Sequence, residues 1–201
     1  AVLAAPTTLH GELGLALLER GVHLLVEKPI ASTLAEADAL IAAAQAHDRV
    51  LAVGHVEFHN PAVQALLDAG TGPRFIEIER LGTFSPRSLD VDVILDLMIH
   101  DLQILQAMDS SPVVEVRAVG IPVLSERIDI ANARIAFASG LVANVTASRV
   151  SGERVRKLRA FFPDRYLSLD YQAQEIKGYR LDASAGGRAI LPANPPVVKS
   201  E

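Results

Sequence analysis

The spacing of apolar runs changes character once along this chain, and that change limits the folds open to it. Residues 1–54 alternate short apolar runs with stretches of helical spacing, the pattern of βαβ units on a parallel sheet. Val2 to Ala5 reads as a strand closed by Pro6, and Val22 to Val26 and Val50 to Val53 as the next two. Between the first pair, Leu9, Leu13, Ala16 and Leu17 keep helical spacing up to Gly21, a stop signal. Thr33-Leu34-Ala35-Glu36 is a capping box, whose helix runs to about His47. Three strands with helices between them predict half of a doubly wound α/β domain over 1–54.

Beyond His55 the period shortens. Arg74 to Leu81 alternates at period two, residues 92–108 keep helical spacing, and then strand-like segments follow one another. These are Val113 to Val119, Ile128 to Phe137, Leu141 to Ser148, Val155 to Phe162 and Tyr166 to Leu169, with Ser139-Gly140 as a hairpin turn. Strands in a run predict a mainly antiparallel open sheet, so residues 55–201 read as an α+β domain. The last twenty residues, with Gly186-Gly187 and three prolines, read as loop. The chain opens without Met in what reads as a strand already under way, and it ends as abruptly at Pro195-Pro196. We therefore expect a piece of a longer protein, lacking the first strands of the parallel sheet and a C-terminal portion.

Composition narrows the functional classes. Hydrophobic residues make up 50% and aromatic ones only 4%, without Trp, so aliphatic side chains must fill the core. A net charge of −5 argues against nucleic-acid and polybasic membrane contacts, and no apolar run is long enough to span a bilayer. No signal peptide is visible, and zero cysteines exclude disulfides and thiolate chemistry, which is compatible with the cytoplasm.

Four segments carry residues fit for chemistry. Glu27-Lys28-Pro29 follows the second strand, where open α/β sheets bind ligands, although a solvated turn lysine would look the same. In the helix over 92–108, Asp96, His100 and Gln103 recur at i, i+4 and i+7. An Asp one turn before a His can orient the ring and favour its protonated form; a structural Asp–His pair has the same spacing. His55 and His59 lie four apart around Glu57, but no third ligand is recognisable, so no metal site is predicted and a connector reading is preferred. Arg149, Arg154, Arg156, Lys157, Arg159 and Arg165 form a basic stretch suited to phosphate or carboxylate recognition, or equally to a solvated strand face.

Taken in order, Ala5-Pro6-Thr7-Thr8-Leu9-His10, Glu27-Lys28-Pro29, Gly54-His55-Val56-Glu57 with Asn60-Pro61, and Asp96 with His100 resemble the glucose–fructose oxidoreductase, inositol dehydrogenase and MocA (Gfo/Idh/MocA) family. Phe84 to Asp92, Asp96 to Asp101, and Thr146 to Val150 with Arg154 to Arg159 are similar to its UDP-N-acetylglucosamine 3-dehydrogenase branch. The resemblance implies a Rossmann-like dinucleotide-binding part followed by a substrate-binding and oligomerisation part, joined into a homo-oligomer through the antiparallel sheet. It implies transfer of a hydride between a sugar carbon, C3 of a UDP-N-acetylhexosamine, and NAD or NADP. Lys28, His100 and Asp96 would be catalytic. Pro6, Thr7, His10, Glu27, Lys28, Pro29 and His55 would line the nicotinamide end of the cofactor site, and Lys28, Arg87, His100 and Arg149 would meet the substrate.

Two departures stand out. Phe58-His59-Asn60-Pro61 stands where the family commonly reads Arg-Phe-Asn-Pro, so an expected arginine is absent, and no Gly-x-Gly-x-x-Gly turn is present to cradle a pyrophosphate. The alternative is a catalytically inactive homologue serving as a sugar-nucleotide binding or oligomerisation module.

Overall fold

The computed structural model describes residues 1–70, 72–85, 89–181 and 190–193, the last four by backbone alone. Strand β1 (Val2–Leu3), helix α1 (His10–Glu19), strand β2 (Leu24–Glu27), helix α2 (Leu34–Ala46) and strand β3 (Leu51–Gly54) follow in order. The three strands pair in parallel as β1-β2-β3. β1 is shorter than its apolar run predicts. The chain leaves the sheet after Leu3 and enters a 3₁₀ turn, Thr7–Leu9, ahead of α1.

Leu3, Leu18, Leu24, Val26, Leu40 and Ala44 form the core of this part. Gly14 lets α1 press onto α2, because a Cβ there would fall 2.6 Å from Leu40 Cδ2. The capping box forms as its sequence specifies: Glu36 N–H donates to Thr33 Oγ1 and Thr33 N–H to Glu36 Oε2, each at 3.2 Å.

A second core gathers around an eight-stranded sheet. Asn60-Pro61 starts helix α3 (Pro61–Asp68), where Asn60 Oδ1 accepts from Ala62 N–H and Pro61 occupies the first turn. Strand β4 (Phe75–Leu81) alternates buried and half-buried residues, as period two requires. A π-helical turn, Ile94–Met98, runs directly into helix α4 (Ile99–Met108).

Seven further strands complete the sheet: β5 (Val113–Ile121), β6 (Ile130–Phe137), β7 (Val142–Ser148), β8 (Val155–Phe161), β9 (Arg165–Asp170), β10 (Glu175–Leu181) and β11 (Ile190–Ala193). Their order is β11-β10-β9-β8-β4-β7-β6-β5. The architecture is thus a Rossmann-like parallel sheet with helices, followed by a mostly antiparallel sheet. One pair departs from the antiparallel rule: β4 runs parallel to β7, because the chain passes through α4, β5 and β6 before returning beside it. Ile76, Ile78, Val145 and Leu158 point from this sheet toward α3 and α4.

Two strands differ from the sequence expectation. β11 lies inside the segment that reads as loop, pairing with β10 from Ile190 to Ala193. β10 itself carries Lys177, Gly178 and Arg180 among its apolar residues, which blur its alternation. Among the described residues no helix is long and apolar enough to cross a membrane.

Candidate active site

β2 delivers Lys28 to the carboxyl end of the parallel sheet, the place where ligands of open α/β sheets bind. Its position is fixed from behind by His10, which is only 1% exposed. His10 Nδ1 lies 2.9 Å from the Pro29 carbonyl oxygen and Nε2 2.9 Å from that of Ala5. Both carbonyls can only accept, so the ring ties the exit of β1 to the Lys28-Pro29 turn through whichever nitrogen carries a proton. The Lys28–Pro29 peptide bond is cis.

Lys28 Nζ crosses to the second part of the chain. It donates to the Asp96 carbonyl oxygen at 2.5 Å and to Asp96 Oδ1 at 3.0 Å. Asp96 sits within the π turn, a distortion often found where a helix carries function. That turn starts on Asp92, whose Oδ1 accepts from the N–H groups of Ile94 and Leu95.

One turn on is His100, buried at 6% exposure, with Nδ1 sealed from solvent and bonded to nothing among the described residues. The His55 ring meets it edge to face at 6.3 Å between centroids. Burial, and then Arg80, Lys28, His55 and Arg156, lower the His100 pKa to about 3. The i, i+4 spacing allows an Asp96 carboxylate that orients the ring and favours its protonated form, or a purely structural Asp–His pair. The structure corrects this: Asp96 is taken by a lysine from a different element, and the charges facing His100 are cationic. His100 is therefore a neutral imidazole at neutral pH. Gln103, on the same expected face, has a sealed Oε1 without a partner among the described residues.

Behind this site lies an ion cluster absent from the sequence reading. Arg80, 1% exposed, donates through Nε and Nη2 to both Asp101 oxygens at 2.8 and 2.7 Å, and through Nη1 to Glu57 Oε2 at 2.8 Å. Its guanidinium also lies 4.8 Å from the centre of the Tyr171 ring. Burial opposes the charge on Arg80, but Asp101, Tyr171 and Glu57 outweigh it and hold the group above its ordinary value. The sequence did contain a signal: Arg80 shares the inward face of β4 with Ile76 and Ile78.

The residues expected at the cofactor end gather at the carboxyl ends of the parallel strands. Pro6 and Thr7 follow β1, Glu27, Lys28 and Pro29 follow or end β2, and His55 follows β3. Gly54 leaves room for the Glu27 carboxylate, since a Cβ there would stand 3.1 Å from Glu27 Oε2. Burial, then Lys28, depress the His55 pKa against the pull of Glu27. His10 is the exception, because its ring is turned inward onto main chain.

Arg149 is 5% exposed and committed to the loop before β6. It donates to Asp129 Oδ1 at 2.8 Å, to the Val91 carbonyl at 2.9 Å and to Ser125 Oγ at 3.2 Å. Asp129 Oδ2 also accepts from the N–H groups of Val123, Leu124 and Ser125. Although burial opposes its charge, the Ser125 hydroxyl, the Val123 amide and Arg149 hold Asp129 well below the usual carboxylate range. Arg149 nonetheless lines a cavity of about 310 Å³ together with Asp96, Arg154 and Arg156. Arg87 lies outside the described residues. A larger cleft, about 430 Å³, between α4 and strands β5 and β6 is lined by no titratable residue among the described ones.

The parallel strand ends, the lysine they present and the histidine facing it on a π-distorted helix define a Rossmann-type protein with an appended sheet domain. Residues 1–55 match the model of the Gfo/Idh/MocA oxidoreductase family with NAD-binding Rossmann fold. The match covers the parallel-sheet part of the chain.

It is 46% identical over 182 residues, 90% of its length, to UDP-N-acetylglucosamine 3-dehydrogenase of Acidithiobacillus ferrooxidans, of which it covers 58%. Over 129 residues it is 33% identical to myo-inositol dehydrogenase Hyg17 of Streptomyces leeuwenhoekii, matching 60% of this chain and 40% of that protein. A solved structure of the Acidithiobacillus ferrooxidans enzyme superposes with a TM-score of 0.87 at 40% identity, covering all of this chain and 64% of that one. The chain thus spans less than two thirds of the relatives it matches.

Proposed function

We propose that the protein carrying this chain oxidises a ring hydroxyl of a UDP-N-acetylhexosamine, at C3, with NAD or NADP as the acceptor. The observation that carries this reading is the Lys28–Asp96 clasp beside His100. A lysine donor and a neutral imidazole lie at one strand end, where a secondary alcohol needs exactly one base and one donor.

His100 takes the hydroxyl proton as a neutral imidazole; the burial and cations that keep it neutral also weaken it as a base, so the transfer relies on the Lys28 donor acidifying the same hydroxyl. Lys28 donates to the same oxygen and stabilises the charge that builds there as the C–H bond weakens. Asp96 is a positioning residue, which sets the Lys28 ammonium through two contacts. His10 positions the same lysine from the other side, through Pro29.

Pro6, Thr7, Glu27, Lys28, Pro29 and His55 would hold the nicotinamide end of a cofactor. The sealed, unpartnered Nδ1 atoms of His55 and His100 fit a crevice that takes a polar group. When bound, that cofactor supplies the acceptor for the electron pair leaving the carbon.

A homo-oligomer joined through the open sheet face accompanies this reading. It is supported by the row Phe75, Phe161, Tyr166 and Tyr179, whose successive ring centres lie 5.8, 4.9 and 5.6 Å apart across four strands. A nucleotide-sugar substrate and the lack of cysteine also fit a cytoplasmic setting.

The test is a full-length protein containing this chain, supplied with UDP-N-acetylglucosamine and NAD or NADP and followed at the absorbance of reduced nicotinamide. His100→Ala and Lys28→Ala are each expected to lower turnover by about 10²-fold or more, as loss of a positioned base or donor does. Near-normal turnover in both variants would sink the assignment.

A further inference from the structure

The cavity of about 310 Å³ beside Asp96 is cationic in a chain whose net charge is −5. Among the described residues three guanidinium groups line it, and they are not equivalent. Arg149 is tied to Asp129, Val91 and Ser125, so it acts as a strut for the loop it anchors. Arg154 and Arg156 form no ion pair with any described residue. Arg156 moreover has an Nε sealed from solvent that finds no hydrogen-bond partner among those residues. Burial, and then the like charges of Arg80 and Arg154, hold the Arg156 guanidinium below its ordinary value. The single carboxylate lining the cavity among the described residues, Asp96, is engaged by Lys28.

The wall that carries these arginines is fixed before any ligand arrives. Gly82 N–H donates to the Ser148 carbonyl at 2.8 Å, and Ser151 N–H donates to the Gly82 carbonyl at 2.9 Å. Arg156 is half-buried without an ion pair among the described residues, a cost that an anion relieves, and Arg154 stands exposed at the rim beside it.

We propose that Arg154 and Arg156 form a phosphate subsite that binds the diphosphate of the substrate and makes the site select nucleotide sugars over free sugars. Two guanidinium forks offer more donors than the two oxygens of a carboxylate can accept, whereas a diphosphate fills both. Placement agrees with this. Asp96 lines the cavity and also holds Lys28, so the anion binds one side chain away from the reacting hydroxyl. In a sugar carrying its diphosphate at C1, C3 is two ring carbons from that attachment. The identity of the sugar rests on the function proposed above; binding of the phosphate does not.

Calorimetric titration of the chain with inorganic pyrophosphate, UDP and D-glucuronate tests the subsite without turnover. Pyrophosphate and UDP are expected to bind, more weakly as ionic strength rises, and glucuronate to bind far less. Arg154→Gln and Arg156→Gln should each weaken pyrophosphate by about tenfold, the loss of one charge-assisted contact. Arg134→Gln, on the outer face of β6, should leave it unchanged. Melting curves report whether each variant folds, and Arg154, at the exposed rim, decides alone if Arg156→Gln does not.

Absence of pyrophosphate binding, equal binding of glucuronate, or unchanged affinity in the folded variants would overturn the subsite. In the full-length protein the same substitutions should raise KM for the UDP-sugar about tenfold and spare kcat. Oxidation of that sugar without pyrophosphate binding would overturn the subsite and leave the dehydrogenase standing. Pyrophosphate binding through both arginines without oxidation would do the reverse.

Discussion

The His100 ring has a protonation state that its neighbours set. An unfolded histidine takes its proton near pH ~6.5, whereas the folded His100 ring does so only at about 3. Between those values the unfolded chain binds more protons, so this group's contribution to stability is fully present above the unfolded value and is lost as pH falls toward the folded one. Proton NMR of the imidazole rings checks this: the His100 resonance should stay constant from about pH 5 to about pH 8. An inflection near the ordinary histidine value would contradict a neutral, cation-facing ring. At this scale the sequence displayed the chemistry but not its pairing. Asp96 and His100 are visible as a spacing, yet the partner of Asp96 is 68 residues away, at the end of a strand in another sheet. Arg149 shows the same limit, since its basic letter does not reveal that Asp129 already holds it.

Local elements were legible where the signal is itself local. The capping box at Thr33 appears in the structure as written, and Thr33→Ala is expected to cost about 1 kcal/mol, read from the shift in thermal midpoint or denaturant curve. The β4 alternation and the Ser139-Gly140 turn also follow from the sequence, Gly140 adopting a φ of 93°. Elements whose signal is diluted were harder to see. α3 covers only eight residues, and its one strong mark is Asn60-Pro61, a cap followed by a first-turn proline. The π turn leaves no mark in the apolar spacing, because one extra residue in a helix nearly apolar all round shifts no clear stripe. β10 and β11 are stabilised by pairing with each other and with β9, a non-local property.

Across the whole molecule, two cores are bridged by the Lys28–Asp96 contact, and the larger one encloses the Arg80–Asp101 pair. Removing one partner of such a buried pair strands the other charge. Asp101→Ala should therefore lower stability by about 3–5 kcal/mol, measured by urea unfolding, and a loss within the range of an exposed salt bridge would contradict it. The change from parallel to consecutive strands, which first limited the fold, also places the proposed site: His100 comes from one part and Lys28 from the other. The chain covers 58% of its Acidithiobacillus relative, so the proposed catalysis is to be tested on a full-length protein containing it.

The most direct measurement of that catalysis uses UDP-N-acetylglucosamine deuterated at C3, with NAD or NADP and the full-length protein, and mass analysis of both products. One deuteron recovered in the reduced nicotinamide, with a ketone at C3 of the sugar, is the result predicted. Label retained on the sugar while the nicotinamide is reduced, or no reduction at all, would contradict the proposed reaction.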